Sequence, residues 1–354
     1  MDKLEALRAY MEQNGVEGVL LANPSNVTWL TGFSGDSAEV LVTMHHAYLV
    51  TDSRYTEQAE QEAGERFSIE ETTAAERLAY LDGLMSKRKI RTLAIERSYV
   101  TLQLFEDFEK SWFIRYADID GAMRQLRAIK TPEDLERMRR GAKITEDAFE
   151  HLLKYIKPGV SERELYAELI YFMNKAGVEP SFRPILASGE NSAMPHAPIT
   201  ERKLEPGDLL TMDFGVKLEG QCTDFTRTVA ISGLEQKLQV VYNTVKLAQE
   251  AALAAVRAEQ ECSEVDEAAR SFIENAGYGK YFGHSTGHGV GVDIHEAPTV
   301  SKTSQDMLKE NMVITIEPGI YLPKKGGVRI EDFVAVTENG CENFYTATKE
   351  LIIV

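Results

Sequence analysis

The chain has 354 residues, 43% hydrophobic and 27% charged, with 39 Lys+Arg against 56 Asp+Glu and a net charge of −17. That length favours two domains with ample core, and the acidity argues against nucleic acid or an anionic membrane as the main partner. Cys222, Cys262 and Cys341 form no CxxC pair, the start MDKLEALRAYMEQNG has no apolar signal core, and no run reaches transmembrane length, so a reduced, cytoplasmic setting is expected.

In chain order, the pattern predicts a helix from about Leu4 to Gln13, stopped at Asn14-Gly15. GVLLANP and VTWLTGF read as short buried strands with turns at Pro24 and Gly32, and EVLVTMHHAYLV as a hairpin. Helical character follows over Ser53 to Ala63 and LAYLDGLMSK, then a strand at RTLAIE, a helix at TLQLFEDFEK and a closing segment at FIRYADIDG. Alternating strands and helices make this part, residues 1–125, a mixed α/β domain. A boundary near Met123 to Lys130 separates it from residues 126–354. There Thr131 caps a long helix with Pro132 at its first position, running to Lys157-Pro158-Gly159, and Ser161 caps the next. Strands dominate from Ser181, interrupted by helices from about Glu235 to Arg257 and Ser263 to Asn275.

The densest chemistry lies in FGHSTGHGVGVDIHEAP, Phe282 to Pro298, which holds His284, His288 and His295. Gly283, Gly287, Gly289 and Gly291 each cost roughly 1 kcal/mol inside a helix, so the stretch reads as a glycine-rich loop entering a strand. No Glu follows His284, which excludes the HExxH zinc motif.

Two hairpins present acidic pairs. In DLLTMDFGVKLEGQCTDFTRTVAIS, Asp213 and Asp224 have their midpoint beside Glu219-Gly220, so they are expected nearly opposite one another, roughly 5 Å apart. In NMVITIEPGIYLPKKGGVRIEDFVAVTENG, Glu317 and Glu331 are centred on PKKGG in the same way. Such pairs are stable only if protonated or if a cation sits between them. Four carboxylates and a histidine suit two divalent metals, oxygen-rich ligation favouring Mn²⁺ with Co²⁺ or Zn²⁺ as alternatives. Two metals so held can carry a bridging water as hydroxide near neutral pH, which is hydrolytic machinery. No GxSxG, Walker A or Rossmann glycine pattern competes with it.

With these residues in view, the chain resembles the pita-bread metallopeptidases, specifically the Xaa-Pro peptidases prolidase and aminopeptidase P. The resemblance runs through SGENSAMPHAP, LLTMDFGVKLEGQCTDFTRT, GHSTGHGVGVDIHEAP, TIEPGIY and GVRIED, with KTPEDLERMRRGAKIT similar to the helix that leads into the catalytic domain. The resemblance implies a creatinase-like N-terminal domain before a pita-bread C-terminal domain, an α/β (α+β) architecture. By position it implies that Asp213 chelates one metal, that His288 and Glu317 hold the other, and that Asp224 and Glu331 bridge both. His196, His284 and His295 resemble the histidines that surround the substrate in this family, and Arg329, on the same strand face as Glu331, resembles an arginine near the site. Glu317 is also the expected proton shuttle.

The expected activity is cleavage of Xaa-Pro bonds in dipeptides, or alternatively at the N-termini of longer peptides, by a homodimer. An Xaa-Pro bond carries no N–H, so peptidases that grip that group cannot use it, whereas metal-activated water can attack it. Methionine aminopeptidases share the five ligand types but lack an N-terminal domain of this size. Creatinase lacks the ligands, and a non-catalytic peptide-binding module would have lost some of them.

Overall fold

A computed structural model of the chain describes residues 2–354. It divides into two compact units, one reaching to Arg127 and the other spanning Ala128–Val354.

The first unit contains α1 (Lys3–Asn14), β1 (Gly18–Leu21), α2 (Pro24–Thr31), β2 (Ala38–Thr43), β3 (Ala47–Thr51), α3 (Thr56–Glu62), β4 (Ser68–Glu71), α4 (Arg77–Arg88), β5 (Thr92–Ile95), α5 (Leu102–Ser111), β6 (Arg115–Asp118) and α6 (Asp120–Ala128), whose last residue opens the second unit. Its six strands form one mixed sheet in the order β4-β3-β2-β1-β5-β6, with β2–β3 the expected hairpin. The segment VTWLT is helical rather than extended. Its β-branched and aromatic residues suit a strand, but Asn23 accepts from the Ser25 N–H as a cap, Pro24 opens the helix, and Gly32 closes it at φ 81°. Local capping outweighs composition here. Helix α6 occupies a stretch that the sequence reading left as connection.

The second unit contains α7 (Pro132–Leu153), α8 (Glu162–Lys175), β7 (Glu179–Pro180), β8 (Ile185–Ser188), β9 (Leu209–Asp213), β10 (Val216–Leu218), β11 (Gln221–Cys222), β12 (Thr226–Ala230), α9 (Gln236–Ala255), α10 (Cys262–Asn275), β13 (Gly287–Gly289), β14 (Glu296–Val300), β15 (Val313–Ile316), β16 (Gly319–Leu322), β17 (Gly326–Arg329), β18 (Asp332–Thr337) and β19 (Gly340–Asn343). Thr131 and Ser161 both make complete capping boxes, with Asp134 and Glu164 as their partners. Helix α7 ends at Leu153, short of Lys157, because Tyr155 and Ile156 both donate to the Leu152 carbonyl in a closing turn.

Helices α7 and α8 pack with the sheet β12-β9-β8 around one core that includes Phe149, Leu169, Met212 and Phe225. Helices α9 and α10 cover a second core with Val241, Ile273, Ile314 and Val334, on the sheet β14-β13-β15-β18-β19. The two sheets meet through a bridge between Thr226 and Glu331, and that junction positions the acidic residues.

Candidate metal centre

The first hairpin pairs Asp213 with Thr226, not with Asp224. The register continues through Lys217 opposite Cys222 to a turn at Glu219-Gly220, both at positive φ (48° and 82°). The expectation was therefore displaced by two residues, because the turn is centred one residue later than the midpoint of the two aspartates. A shift of two preserves the face, whereas a shift of one would have reversed it. Asp213 and Asp224 thus remain neighbours, diagonal rather than opposite, and each is buried. Beside them the strands cross at Gly215, where an added Cβ would lie 1.7 Å from the Thr223 carbonyl oxygen.

The second hairpin keeps the expected register. Ile316 faces Asp332 and Gly319 faces Arg329, which sets Glu317 opposite Glu331. At that point both main chains bond outward: Glu317 N–H donates to Thr286 O at 2.8 Å, and Glu331 N–H to Thr226 O at 3.1 Å. The Thr226 hydroxyl also donates to Glu331 Oε2. Behind this strand, Arg227 donates to the Glu331 carbonyl at 2.6 Å and to Asp332 Oδ1 at 2.7 Å. Asp332 also receives Lys349 and Gln249, so the strand behind Glu331 is fully braced.

His288 stands on β13. Its N–H donates to Thr315 Oγ1 at 3.0 Å, and Thr315 in turn donates to Glu317 Oε1 at 3.1 Å. Nδ1 of His288 lies 3.0 Å from the Gly289 carbonyl, an acceptor, so it carries the proton and leaves Nε2 directed into the site. Nε2 is 3.3 Å from Glu317 Oε1 and 3.5 Å from Asp224 Oδ2. Asp224, His288 and Glu331 offer ligand atoms that all lie within 4.8 Å of one another.

The decisive observation is what these carboxylates lack. Asp213 Oδ1, Asp224 Oδ1 and Glu331 Oε1 are buried without a hydrogen-bond partner. A buried carboxylate oxygen without a donor is costly, and three such oxygens, two of them on members of the Asp224–His288–Glu331 cluster, fit divalent cations rather than protein donors. The electrostatics agree. Burial, reinforced by the charge of Asp213, pushes the Asp224 carboxyl well above its ordinary range; burial and the charge of Asp224 do the same for Glu331. Burial raises Asp213 too, against the opposing Arg329 guanidinium. For Glu317 burial is overcome by the hydrogen bond and charge of His288, which bring it down to about 2. Burial opposes the His288 charge, but Glu317 and Asp224 raise that imidazole to about 9. Without a compensating cation, ionisation of Asp224 and Glu331 is thus disfavoured.

Arg329 binds Asp213 Oδ2 through Nη2 and donates to the Tyr321 hydroxyl through Nη1 at 2.8 Å. His284 Nδ1 meets the Ser285 carbonyl at 2.8 Å, so its Nε2 receives the Tyr321 hydroxyl proton at 2.9 Å. Burial lowers the His284 pKa and favours that neutral form. His295 stacks edge-on to His288 with ring centroids 4.4 Å apart. His196 is exposed on a neighbouring loop, close enough for its charge to act on Asp213, His284 and His295. The ten assignments made from the sequence fall on nine residues, eight of them neighbours through the contacts described above and His196 exposed on an adjoining loop. Tyr321 was missed. The parity that marked Arg329 beside Glu331 applies equally to Glu317, Gly319 and Tyr321, and would have found it. An added Cβ on Gly319 would stand 2.5 Å from the Tyr321 hydroxyl, so the glycine makes room for that ring.

The profile of metallopeptidase family M24 matches residues 136–338, and that of the creatinase/prolidase N-terminal domain matches residues 3–129. The chain belongs to metallopeptidase family M24. An Xaa-Pro dipeptidase of Pyrococcus furiosus is 35% identical over 99% of both chains. Among solved structures, an Xaa-Pro dipeptidase from Bacillus anthracis is 38% identical with a TM-score of 0.95, covering 100% of this chain and 99% of that one. An X-Pro aminopeptidase from Thermotoga maritima is 35% identical with a TM-score of 0.93, covering 100% of both. The M24 peptidase fold accounts for the architecture, a creatinase-like unit followed by a pita-bread catalytic domain, and the family implies divalent metal ions. No helix among the described residues is long and apolar enough to cross a membrane.

Proposed function

We propose that this M24 peptidase hydrolyses the Xaa-Pro bond of dipeptides, using two divalent cations with Mn²⁺ preferred. The reading rests on the three orphaned carboxylate oxygens of Asp213, Asp224 and Glu331, and on the dipeptidases of Pyrococcus furiosus and Bacillus anthracis that resemble the chain along its whole length. Asp213, Asp224, His288, Glu317 and Glu331 would hold the metals, with Asp224 and Glu331 shared between them. Bound there, the cations supply Lewis acidity and bring water to a reactive protonation state near neutral pH.

The protein's own groups do the rest. Glu317 accepts the proton of the attacking water and passes it to the departing proline nitrogen, which as a tertiary amide must be protonated to leave. His284, held by Tyr321, helps to orient the scissile carbonyl together with His295 and His196, and the N–H groups of His295 and His196 donate to the oxygen on which charge develops. Arg329 neutralises excess carboxylate charge through Asp213 and orients Tyr321. We place the enzyme in the cytoplasm as a homodimer.

A second reading, an aminopeptidase acting on longer peptides, is favoured by the likeness to the Thermotoga maritima X-Pro aminopeptidase. Ala-Pro and Ala-Pro-Ala, offered to chelator-stripped protein with and without Mn²⁺, separate the two. Mn²⁺-dependent release of proline from the dipeptide alone supports the first reading, and release of Ala from the tripeptide supports the second. Absence of cleavage with Mn²⁺, Co²⁺ or Zn²⁺ overturns both.

A further inference from the structure

Helix α10 carries an ion pair whose spare hydrogen bonds all go to the chain segment that leads into the metal centre. Asp266 is fully buried and Arg270 is four residues further along the same helix, with Nε to Oδ2 at 2.7 Å and Nη2 to Oδ1 at 2.8 Å. On an exposed helix face such a pair contributes only about 0.3–0.5 kcal/mol. This one faces inward and reaches past its own helix. Arg270 Nη1 donates to the Phe282 carbonyl at 3.2 Å and Nη2 to the His284 carbonyl at 2.8 Å. The guanidinium lies 4.3 Å from the Phe282 ring centroid. Asp266 Oδ1 accepts both the N–H and the hydroxyl of Thr286, at 3.1 and 2.7 Å.

The ends of the segment so held are buried at Phe282 and Thr286, but its middle is open. It contains Gly283, around whose missing Cβ nothing approaches within 4 Å, so packing alone does not select its backbone conformation. It also carries two consequences into the site. The His284 carbonyl fixed by Arg270 belongs to the histidine whose ring bonds Tyr321. The Thr286 residue fixed by Asp266 offers its carbonyl to the Glu317 N–H at 2.8 Å.

We infer that Asp266 and Arg270, on a helix that carries none of the five proposed metal ligands, form a positioning pair that sets His284 and Glu317 together. The guanidinium fork is required because one group must meet a carboxylate and two carbonyls at once, a geometry that an ammonium cannot reproduce. Its effect on catalysis rests on the Xaa-Pro peptidase reading; its effect on Glu317 does not.

The test compares Arg270→Met and Arg270→Lys, each in the wild-type and His284→Ala backgrounds, by kcat and KM on Ala-Pro. Mn²⁺ titration calorimetry on the chelator-stripped proteins provides a readout independent of turnover. For Arg270→Met, kcat is expected to fall about 10–100-fold with KM nearly unchanged and Mn²⁺ affinity reduced. Arg270→Lys should lie between that variant and wild type. In the His284→Ala background the part of the kcat loss carried by His284 should disappear, leaving a smaller factor that acts through Glu317. An equal factor in both backgrounds, or unchanged kcat and Mn²⁺ affinity, overturns the inference. Should Arg270→Met fail to fold, Arg270→Lys carries the same cycle. If wild-type protein does not cleave Ala-Pro while Arg270 variants still bind Mn²⁺ more weakly, the peptidase reading fails and the positioning of Glu317 stands.

Discussion

Glu317 and Glu331 lie opposite one another in a hairpin whose register is unbroken from Val313–Ala335 to Leu322–Gly326, yet neither gives its amide to the other. Each bonds a different neighbouring strand, at Thr286 and Thr226. The ladder is interrupted over Glu317–Pro318 and Ile330–Glu331, the stretch where two carboxylates face each other, and resumes in the same register at Gly319 and Arg329.

Neutralising one of these acids should therefore separate metal binding from stability. Asp224→Asn replaces a buried carboxyl whose ionisation is opposed by burial and by Asp213 and Glu317 with a neutral amide of the same shape, so the metal-free protein is expected to melt at the same temperature or higher. Bound Mn²⁺ should fall, and so should the stabilisation of wild-type protein by the metal, about 2.7 kcal/mol at a hundredfold excess over Kd. Thermal melts with Mn²⁺ and with EDTA, together with metal content by mass spectrometry, check both halves. A variant that melts lower in EDTA and keeps full metal content would contradict the assignment.

The protonation pattern gives a direction in pH. Above about pH 5 an unfolded carboxylate has lost its proton, whereas Asp224 and Glu331 in the metal-free fold still hold theirs. The folded state then binds more protons, so stability falls as pH rises. His288 acts in the same direction: the stability it contributes is full below about pH 6.5 and is lost as pH climbs through about 9. The metal-free protein should thus be more stable at mildly acidic than at alkaline pH. Mn²⁺ must displace these protons, so its affinity should rise with pH and its binding should release protons into the buffer. Calorimetry in buffers of different ionisation enthalpy reads that release, and a pH-independent affinity would contradict the protonation scheme.

The sequence made the chemistry legible where the determining interactions are local. Thr131-Pro132 and Ser161 marked their helices because a cap and its partner lie three residues apart. The Glu317–Glu331 register followed from the centre of PKKGG. Distant partners were harder to see. VTWLT has strand composition, and only its flanking Asn23-Pro24 and Gly32 make it a helix. Tyr321 acquires its role from His284, 37 residues earlier, and Arg270 from the loop carbonyls packed against its helix. Strand parity places Tyr321 on the face of Glu317, and the i,i+4 spacing pairs Arg270 with Asp266, but neither spacing reaches His284 or the loop carbonyls.

Lys130 and Glu296 make another buried ion pair beside the histidine loop, 3.2 Å apart with side chains 3% and 4% exposed. Glu296 directly follows His295 and also accepts the Asp293 N–H at 3.0 Å. Lys130→Met takes a cation away from a buried carboxylate, and is expected to cost about 3–5 kcal/mol. Adding Glu296→Gln should recover part of that loss, because the carboxylate charge that faced Lys130 is then gone. Urea unfolding of both variants measures the difference; equal destabilisation would mean that the charge pairing contributes nothing.

Tyr321 offers the sharpest separation of chemistry from structure. Its hydroxyl accepts from Arg329 and donates to His284, and burial raises its pKa to about 12, so it stays protonated throughout the working range. Tyr321→Phe deletes that one oxygen and preserves the ring. His284 then loses the donor that holds its Nε2, and Arg329 loses one acceptor while keeping Asp213. The metals' ligands are untouched, so Mn²⁺ content should match wild type. Rotation of the freed imidazole should lower kcat about 10–100-fold, with a smaller change in KM, since the ring orientation matters most when charge develops on the substrate. Steady-state kinetics on Ala-Pro with parallel metal analysis decide it. Unchanged kcat would mean that Tyr321 only fills space, and loss of Mn²⁺ along with kcat would mean that Arg329 acts on the metal centre through the tyrosine rather than through Asp213.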